Sequence, residues 1–214
     1  MDNTYIGFDF SIKKPAATVY HNGILKFFVW PENISSKSVK MLKDADITVF
    51  NRNLIWSSQP KDVSELMQYN LLRSSYLAKS ICDVLSEYLH ENTYIAQEGL
   101  SYGSSGSSGL ELSGYKYILM HYLSKYTSYN NMFTYSPITI KSIANCSKKG
   151  EGTKDHMIES FKKNSIDSKF KNILINNPSA LKKKTNYVEC TDDIVDSYFV
   201  LKTMIEKNFE NIIL

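Results

Sequence analysis

Four acidic residues stand where their carboxylates could work together. Asp9 lies inside an apolar run, YIGFDF at residues 5–10, which is typical of a buried strand. A carboxylate in such a place costs free energy unless something binds it. Glu98 ends a later strand pattern, while Asp193 and Asp196 are three residues apart in a helical pattern and so share one helix face. Because carboxylate oxygens are the preferred ligands of hard divalent cations, the set indicates a metal site.

Each acid also has a structural explanation. Glu98 could end its strand in solvent, and Asp192 or Asp193 could cap the last helix and interact with its dipole. Asp192 directly precedes Asp193, so Asp192 with Asp196 is an alternative pair on that helix. Asp9 has the weakest structural explanation, because its neighbours are so apolar. The metal interpretation therefore depends on the four acids and their order more than on any single residue.

The elements that must position these acids follow an α/β pattern. Strand patterns at residues 5–10, 16–21 and 24–30 succeed one another closely, and Asn22-Gly23 is a two-residue hairpin signal, so we expect a three-strand antiparallel meander. An amphipathic helix from residue 61 to about 90 leads to the strand that ends at Glu98. A strand, a long helix and a strand in succession imply a parallel crossover.

The remaining predicted elements precede or follow the Glu98 strand in the sequence. They are a short strand at 47–50, a helix resuming at Leu110, a strand at 132–136, a short helix at 138–144, a helix capped by Thr153, and a last helix capped by Thr191 or Asp192.

Two segments are harder to interpret. Residues 101–109 have the composition of a flexible Ser/Gly loop, although a glycine-rich loop before a helix can also approach phosphates. Tyr102 in this loop is a candidate for stacking on an opened base, with an ordinary core or surface tyrosine as the alternative. Residues 164–190 have no clear pattern, and their structure is left open.

Size and composition are those of one globular domain. A chain of 214 residues with 43% hydrophobic content can bury a full core, so we expect a single domain over residues 1–214. The three cysteines have no CxxC spacing, which favours a reducing compartment and no structural zinc. We expect no secretory signal and no membrane span. These features predict a cytoplasmic protein, in a bacterial cell or in host cytoplasm for a viral source.

The charge is unevenly distributed. Residues 137–189 contain 11 lysines, no arginine and five acids, although the net charge of the whole chain is only +3. A basic segment beside an acidic cluster suits a metal-dependent nuclease, since cations meet phosphates and carboxylates hold metals. A solvated lysine-rich surface explains the lysines equally well.

The motifs and their order resemble the RuvC family of Holliday-junction resolvases, which belongs to the RNase H-like superfamily. The likeness runs from residue 5 to about 205 and rests on G-x-D-x-S at residues 7–11, E-G at 98–99 and D-I-V-D at 193–196. The segment GTKDHMI, residues 152–158, also resembles the region where such resolvases place a lysine at a helix start, here Lys154. The resemblance implies an RNase H-like mixed five-stranded sheet, the antiparallel meander plus parallel strands, flanked by helices.

A site of this kind needs cations for charge balance. Several acids brought together repel and raise one another's pKa unless divalent ions are bound, and oxygen ligands select Mg²⁺ or Mn²⁺. Two such ions stabilise the attacking water and the leaving oxygen of a phosphodiester. Asp9 is expected to bridge them, with Glu98 on one side and Asp193 and Asp196 on the other. Lys154 would neutralise charge on the scissile phosphate, the alternative being a solvated helix-start lysine.

The resemblance implies a Mg²⁺-dependent endonuclease that resolves four-way DNA junctions by paired nicks. Its partners would be branched DNA and a second copy of the chain, with the helix at 61–90 as the candidate interface and no organic cofactor. Two alternatives stay open. One is another RNase H-like nuclease, acting on flaps, on RNA/DNA hybrids or in DNA packaging. The other is a non-catalytic nucleic-acid-binding scaffold of the same fold.

Overall fold

The computed structural model describes residues 2–52, 60–99, 107–146, 154–176, 188–209, 212 and 214. The strands are β1 (Thr4–Asp9), β2 (Ala16–His21), β3 (Ile24–Val29), β4 (Thr48–Val49), β5 (Thr93–Glu98) and β6 (Met132–Tyr135). The helices are α1 (Ser36–Asp44), α2 (Val63–Val84), α3 (Ser107–Leu123), α4 (Pro137–Ile143), α5 (Lys154–Asn164), α6 (Ser168–Asn176) and α7 (Thr191–Asn208). Short 3-10 turns lie at Ser86–Tyr88 and Tyr129–Asn131.

The described strands form one mixed sheet in the order β4-β3-β2-β1-β5-β6. The predicted meander is confirmed, since β1 pairs with β2 and β2 with β3 antiparallel, while β5 pairs parallel with β1 and β6 parallel with β5. This is the predicted α/β fold, in which an antiparallel meander and parallel strands share one sheet flanked by helices. The sheet has one strand more than the five that the resemblance implied, and it lies where a short strand was predicted at 47–50. The sixth is the two-residue β4, which extends the edge by pairing parallel with β3.

Helices cover both faces of the sheet. On one face, α2 and α3 pack against alternate strand residues in a core that includes Ile6, Phe8, Leu77 and Leu119. On the other face, α7 lies across β1 and β2, backed by α4, α5 and α6. Successive strand side chains point to opposite faces, so Gly7 and Asp9 belong to the α7 face.

The start of the last helix differs from the prediction. Neither Thr191 nor Asp192 is the N-cap; that position belongs to Cys190, which adopts a left-handed conformation with φ of 68°. The Thr191 hydroxyl donates instead to the Val188 carbonyl oxygen at 2.6 Å. Asp192 and Asp193 therefore stand in the first helical turn.

Some expectations fall outside the described residues. They concern Tyr102 and most of the Ser/Gly loop, the proposed Thr153 cap, and residues 177–187 of the unassigned basic region. Helix α3 begins at Ser107, inside the segment expected to be loop, and α6 occupies part of the region without a readable pattern. Within the described ranges, none of the helices combines the length and the apolarity that crossing a membrane requires.

Candidate active site

Gly7 allows α7 to lie directly on β1. A Cβ atom added at Gly7 would be 2.4 Å from the backbone nitrogen of Leu201 and 2.5 Å from the carbonyl oxygen of Ser197. Any larger residue would therefore collide with helix backbone, which cannot rotate away. Because of this close approach, the first turns of α7 reach the end of β1, where Asp9 stands.

The parallel pairing of β1 with β5 brings two acids to the same edge of the sheet. Phe8 is level with Gln97 in the ladder, so the next residues along the two strands are Asp9 and Glu98. Ser11, the last residue of the first motif, accepts a hydrogen bond at 2.9 Å from the backbone N–H of Lys14 and so shapes the turn that follows β1.

The four predicted acids are close enough to change one another's ionisation. Burial raises the pKa of Asp9 well above its usual value, and the neighbouring charges of Asp196, Asp193 and Glu98 raise it further. Burial likewise raises the pKa of Glu98. The structure thus brings together acids from β1, β5 and α7 that are up to 187 positions apart in the chain.

The two acids of α7 also have raised pKa values. Burial raises the pKa of Asp193 to about 7, with a further contribution from Asp192. Burial also raises the pKa of Asp196 to about 7, and the charge of Glu98 adds to the effect. Acids in such an environment hold protons near neutral pH unless a cation replaces them.

Asp192 has a different neighbour. Its carboxylate forms an ion pair with the ammonium group of Lys154, at the start of α5. Asp193 and Asp196, rather than Asp192, are the α7 acids with the largest effects on the pKa of Asp9. Asp192 also raises the pKa of Asp193 and of Asp196, so both adjacent aspartates act on the cluster, and Asp192 is the one paired with Lys154.

An open cleft adjoins the acids. Its volume is about 310 Å³, and Glu98, Asp196, Lys141 and Lys154 provide its charged lining. The Lys154 side chain is 68% exposed, so it can reach a ligand in the cleft as well as Asp192. Two lysines beside carboxylates suit a phosphate-bearing ligand that meets cations and metal ions together.

Lys116 is a further member of the cluster that the sequence analysis did not single out. It lies on α3, is only 8% exposed, and donates a hydrogen bond of 2.6 Å to the Glu98 carbonyl oxygen. A signal was present in the sequence: Lys116 follows Tyr115 and precedes Leu119 by three positions, both of them buried on the apolar side of the helix. A lysine on such a stripe has to find an acidic or carbonyl partner.

The donor set suits a hard divalent cation. All four acids offer oxygen ligands, and burial raises the pKa of each of them, which a bound cation would offset. Among the described residues, no group of three or more His, Cys, Asp or Glu side chains is arranged so that it could hold a metal ion as it stands. The fit is therefore one of ligand chemistry and charge.

Comparison of structures finds a likeness to RuvC of Thermus thermophilus. One solved structure of that protein is 12% identical, with a TM-score of 0.42, and the match covers 92% of this chain and 93% of the other. A second, T. thermophilus RuvC in complex with a Holliday junction substrate, is 10% identical, with a TM-score of 0.46 and 96% of each chain covered. A scan against models of protein families gives no match, and neither does a comparison with curated proteins.

Proposed function

We propose that this chain is a metal-dependent endonuclease that resolves four-way DNA junctions by paired nicks, as a single nuclease domain. The observation that carries the proposal is the convergence of four half-buried acids, Asp9, Glu98, Asp193 and Asp196, beside a lysine-lined cleft. Carboxylates placed in this way destabilise a protein unless a cation or another partner binds them. Metal-assisted hydrolysis of a phosphodiester gives them a function.

Asp9, Glu98, Asp193 and Asp196 would hold the Mg²⁺ or Mn²⁺ ions, two for each site. The ions supply an activated water and stabilise charge on the phosphodiester oxygens. The four carboxylates would hold the ions at the ends of β1 and β5, beside the open cleft. The hydrogen bond that the Lys116 ammonium group donates to the Glu98 carbonyl oxygen keeps the end of β5 in place.

Lys154 would bind the scissile phosphate and offset its developing charge. Its position supports this function, because it lines the cleft together with Glu98 and Asp196. The ion pair with Asp192 keeps the ammonium group beside the acids before DNA arrives. Lys141, which also lines the cleft, would make a second phosphate contact.

Paired nicks require two sites, and α2 supports assembly of two copies. The buried stripe of α2 packs on the sheet through Leu77 and Ile81. The same stripe continues toward the start of the helix as Val63, Met67 and Leu71, which are 72%, 70% and 58% exposed. Apolar side chains on one exposed helix face are typical of a contact surface. We place the homodimer contact there.

The test is cleavage of a synthetic four-way junction beside a linear duplex, a flap and an RNA/DNA hybrid, in Mg²⁺ and in Mn²⁺. Asp9→Asn should abolish cleavage and leave the fold intact, whereas the control Asp83→Asn, on the exposed side of α2, should cleave normally. Paired symmetric nicks in the junction alone would support a resolvase. Cleavage of another substrate would move the function to a different RNase H-like nuclease. Absence of all cleavage would favour a binding scaffold.

A further inference from the structure

The acids of the site are approached from both faces of the sheet. Asp193 and Asp196 arrive with α7, whereas Lys116 arrives with α3, which packs on the opposite face. Its side chain is more than nine-tenths buried and ends at the Glu98 carbonyl oxygen, 2.6 Å away. An aliphatic lysine stem can cross a helix–sheet boundary and deliver its ammonium group beyond it.

The charge of Lys116 acts on the two strand acids. Burial lowers the pKa of Lys116, while the charges of Glu98 and Asp9 favour its protonated form. In return, its positive charge opposes the burial that raises the pKa of Asp9 and of Glu98. Lys154, by contrast, is exposed and is paired with Asp192. The two lysines therefore serve different parts of the cluster.

We propose that Lys116 is a positioning residue of the nuclease site, an internal cation that holds the end of β5 beside Asp9 and offsets part of the acidic charge until divalent ions bind. This inference rests on the proposed function, because it assigns the lysine a place in a metal-dependent site. It predicts that Lys116 matters most when metal is absent. A lysine with a purely structural function would matter equally with and without metal.

The experiment compares thermal unfolding of the wild-type chain and Lys116→Met, each in EDTA and in saturating MgCl₂. Methionine keeps most of the length and the apolar character of the stem but removes the charge. In EDTA the variant should lose about 6 °C or more in Tm, because the buried acids lose their internal cation. In MgCl₂ the loss should fall to less than half, because bound ions replace the missing charge. Equal losses in the two conditions would overturn the proposal.

Lys79→Met is the matched control, since Lys79 is an exposed lysine on α2. Its Tm should equal that of the wild-type chain in both buffers. A second variant covers the case in which Lys116→Met does not fold in EDTA. Asp9→Asn combined with Lys116→Met removes one acid along with the cation, and it should restore folding in EDTA. A double variant no more stable than Lys116→Met in EDTA would contradict the offset of charge.

The Tm of the wild-type chain with and without MgCl₂ distinguishes a failure of this inference from a failure of the proposed function. If MgCl₂ leaves the Tm of the wild-type chain unchanged, the metal site itself is wrong. If the wild-type chain is stabilised by MgCl₂ but Lys116→Met shows equal losses in both buffers, the site stands and only the inference about Lys116 fails.

Discussion

Gly7 on β1 and Ser197 on α7 lie so close that a Cβ at Gly7 would approach the Ser197 carbonyl oxygen to 2.5 Å. This contact sets the distance between strand and helix, and with it the distance between Asp9 and the acids Asp193 and Asp196. The absence of a side chain at Gly7 thus allows Asp9 on β1 to lie close to the acids of α7. The core and the site depend on the same packing contact.

Gly7→Ala should therefore destabilise the protein severely. Its methyl group would collide with backbone atoms of α7, and the expected loss is about 3 kcal/mol of unfolding free energy, at the upper end of overpacking effects. Urea unfolding followed by circular dichroism measures it. Gly114→Ala is the matched control, because a Cβ there meets nothing within 4 Å and the residue lies inside α3. That control should gain about 0.5–1 kcal/mol. Similar effects of both changes would contradict the close packing.

The metal-free protein should become less stable as the pH rises. Burial and neighbouring acids raise the folded-state pKa of Asp193 and of Asp196 from 3.8 to about 7. Such groups contribute stability that is fully present below their unfolded pKa and is lost as the pH climbs through the folded value. In EDTA the Tm at pH 5 should exceed the Tm at pH 8 by about 5 °C or more.

Saturating Mg²⁺ should reverse this trend, because metal binding requires deprotonated carboxylates. Differential scanning calorimetry at a series of pH values, in both buffers, provides the measurement. A Tm in EDTA that rises from pH 5 to pH 8 would show that these acids are not packed together.

Lys154→Ala should separate catalysis from stability. Its side chain is largely exposed, so the loss of the ion pair with Asp192 should cost less than about 1 kcal/mol. Cleavage should slow by about 100-fold or more, as for removal of one group that stabilises transition-state charge. Single-turnover cleavage and thermal unfolding give the two quantities. Lys37→Ala, an exposed lysine of α1, should change neither. Full activity of Lys154→Ala would remove this lysine from the site.

Leu71→Glu should separate two copies without unfolding either. Leu71 is exposed in the monomer, so a charge there leaves the core untouched, whereas in a contact between two α2 helices it would be buried without a partner. Sedimentation at micromolar concentration should show a dimer for the wild-type chain and a monomer for the variant. The Tm of the monomeric variant should agree with the Tm of the wild-type chain when that chain is diluted to a monomer. A wild-type chain that stays monomeric alone and on junction DNA would rule out the contact.

Much of the fold could be predicted from local patterns. The meander depends on the Asn22-Gly23 turn. The parallel arrangement of β5 depends on the helix that precedes it in the chain. Both signals come from elements that are adjacent in the sequence. Asp9 stood out because its burial was evident from the adjacent residues. The short β4 was harder to place, because a two-residue strand is defined by its partner β3 rather than by its own composition.

The site contains features that no local pattern specifies. Lys116 contacts a carbonyl group 18 positions away, on the far side of a helix–sheet boundary, so only the packing of α3 places it. The pairing of Asp192 likewise depends on where α5 lies, since that helix brings Lys154 to it. The Cys190 cap depends on a left-handed backbone that cysteine rarely adopts.

The distribution of the acids along the chain has a consequence for synthesis on the ribosome. All the described strands are complete by Tyr135, more than fifty residues before Asp193. A growing chain can therefore assemble its sheet while two of the four carboxylates are still untranslated. The proposed nuclease activity would therefore arise only after α7 has emerged and packed against Gly7, and the incomplete chain would not cleave nucleic acid.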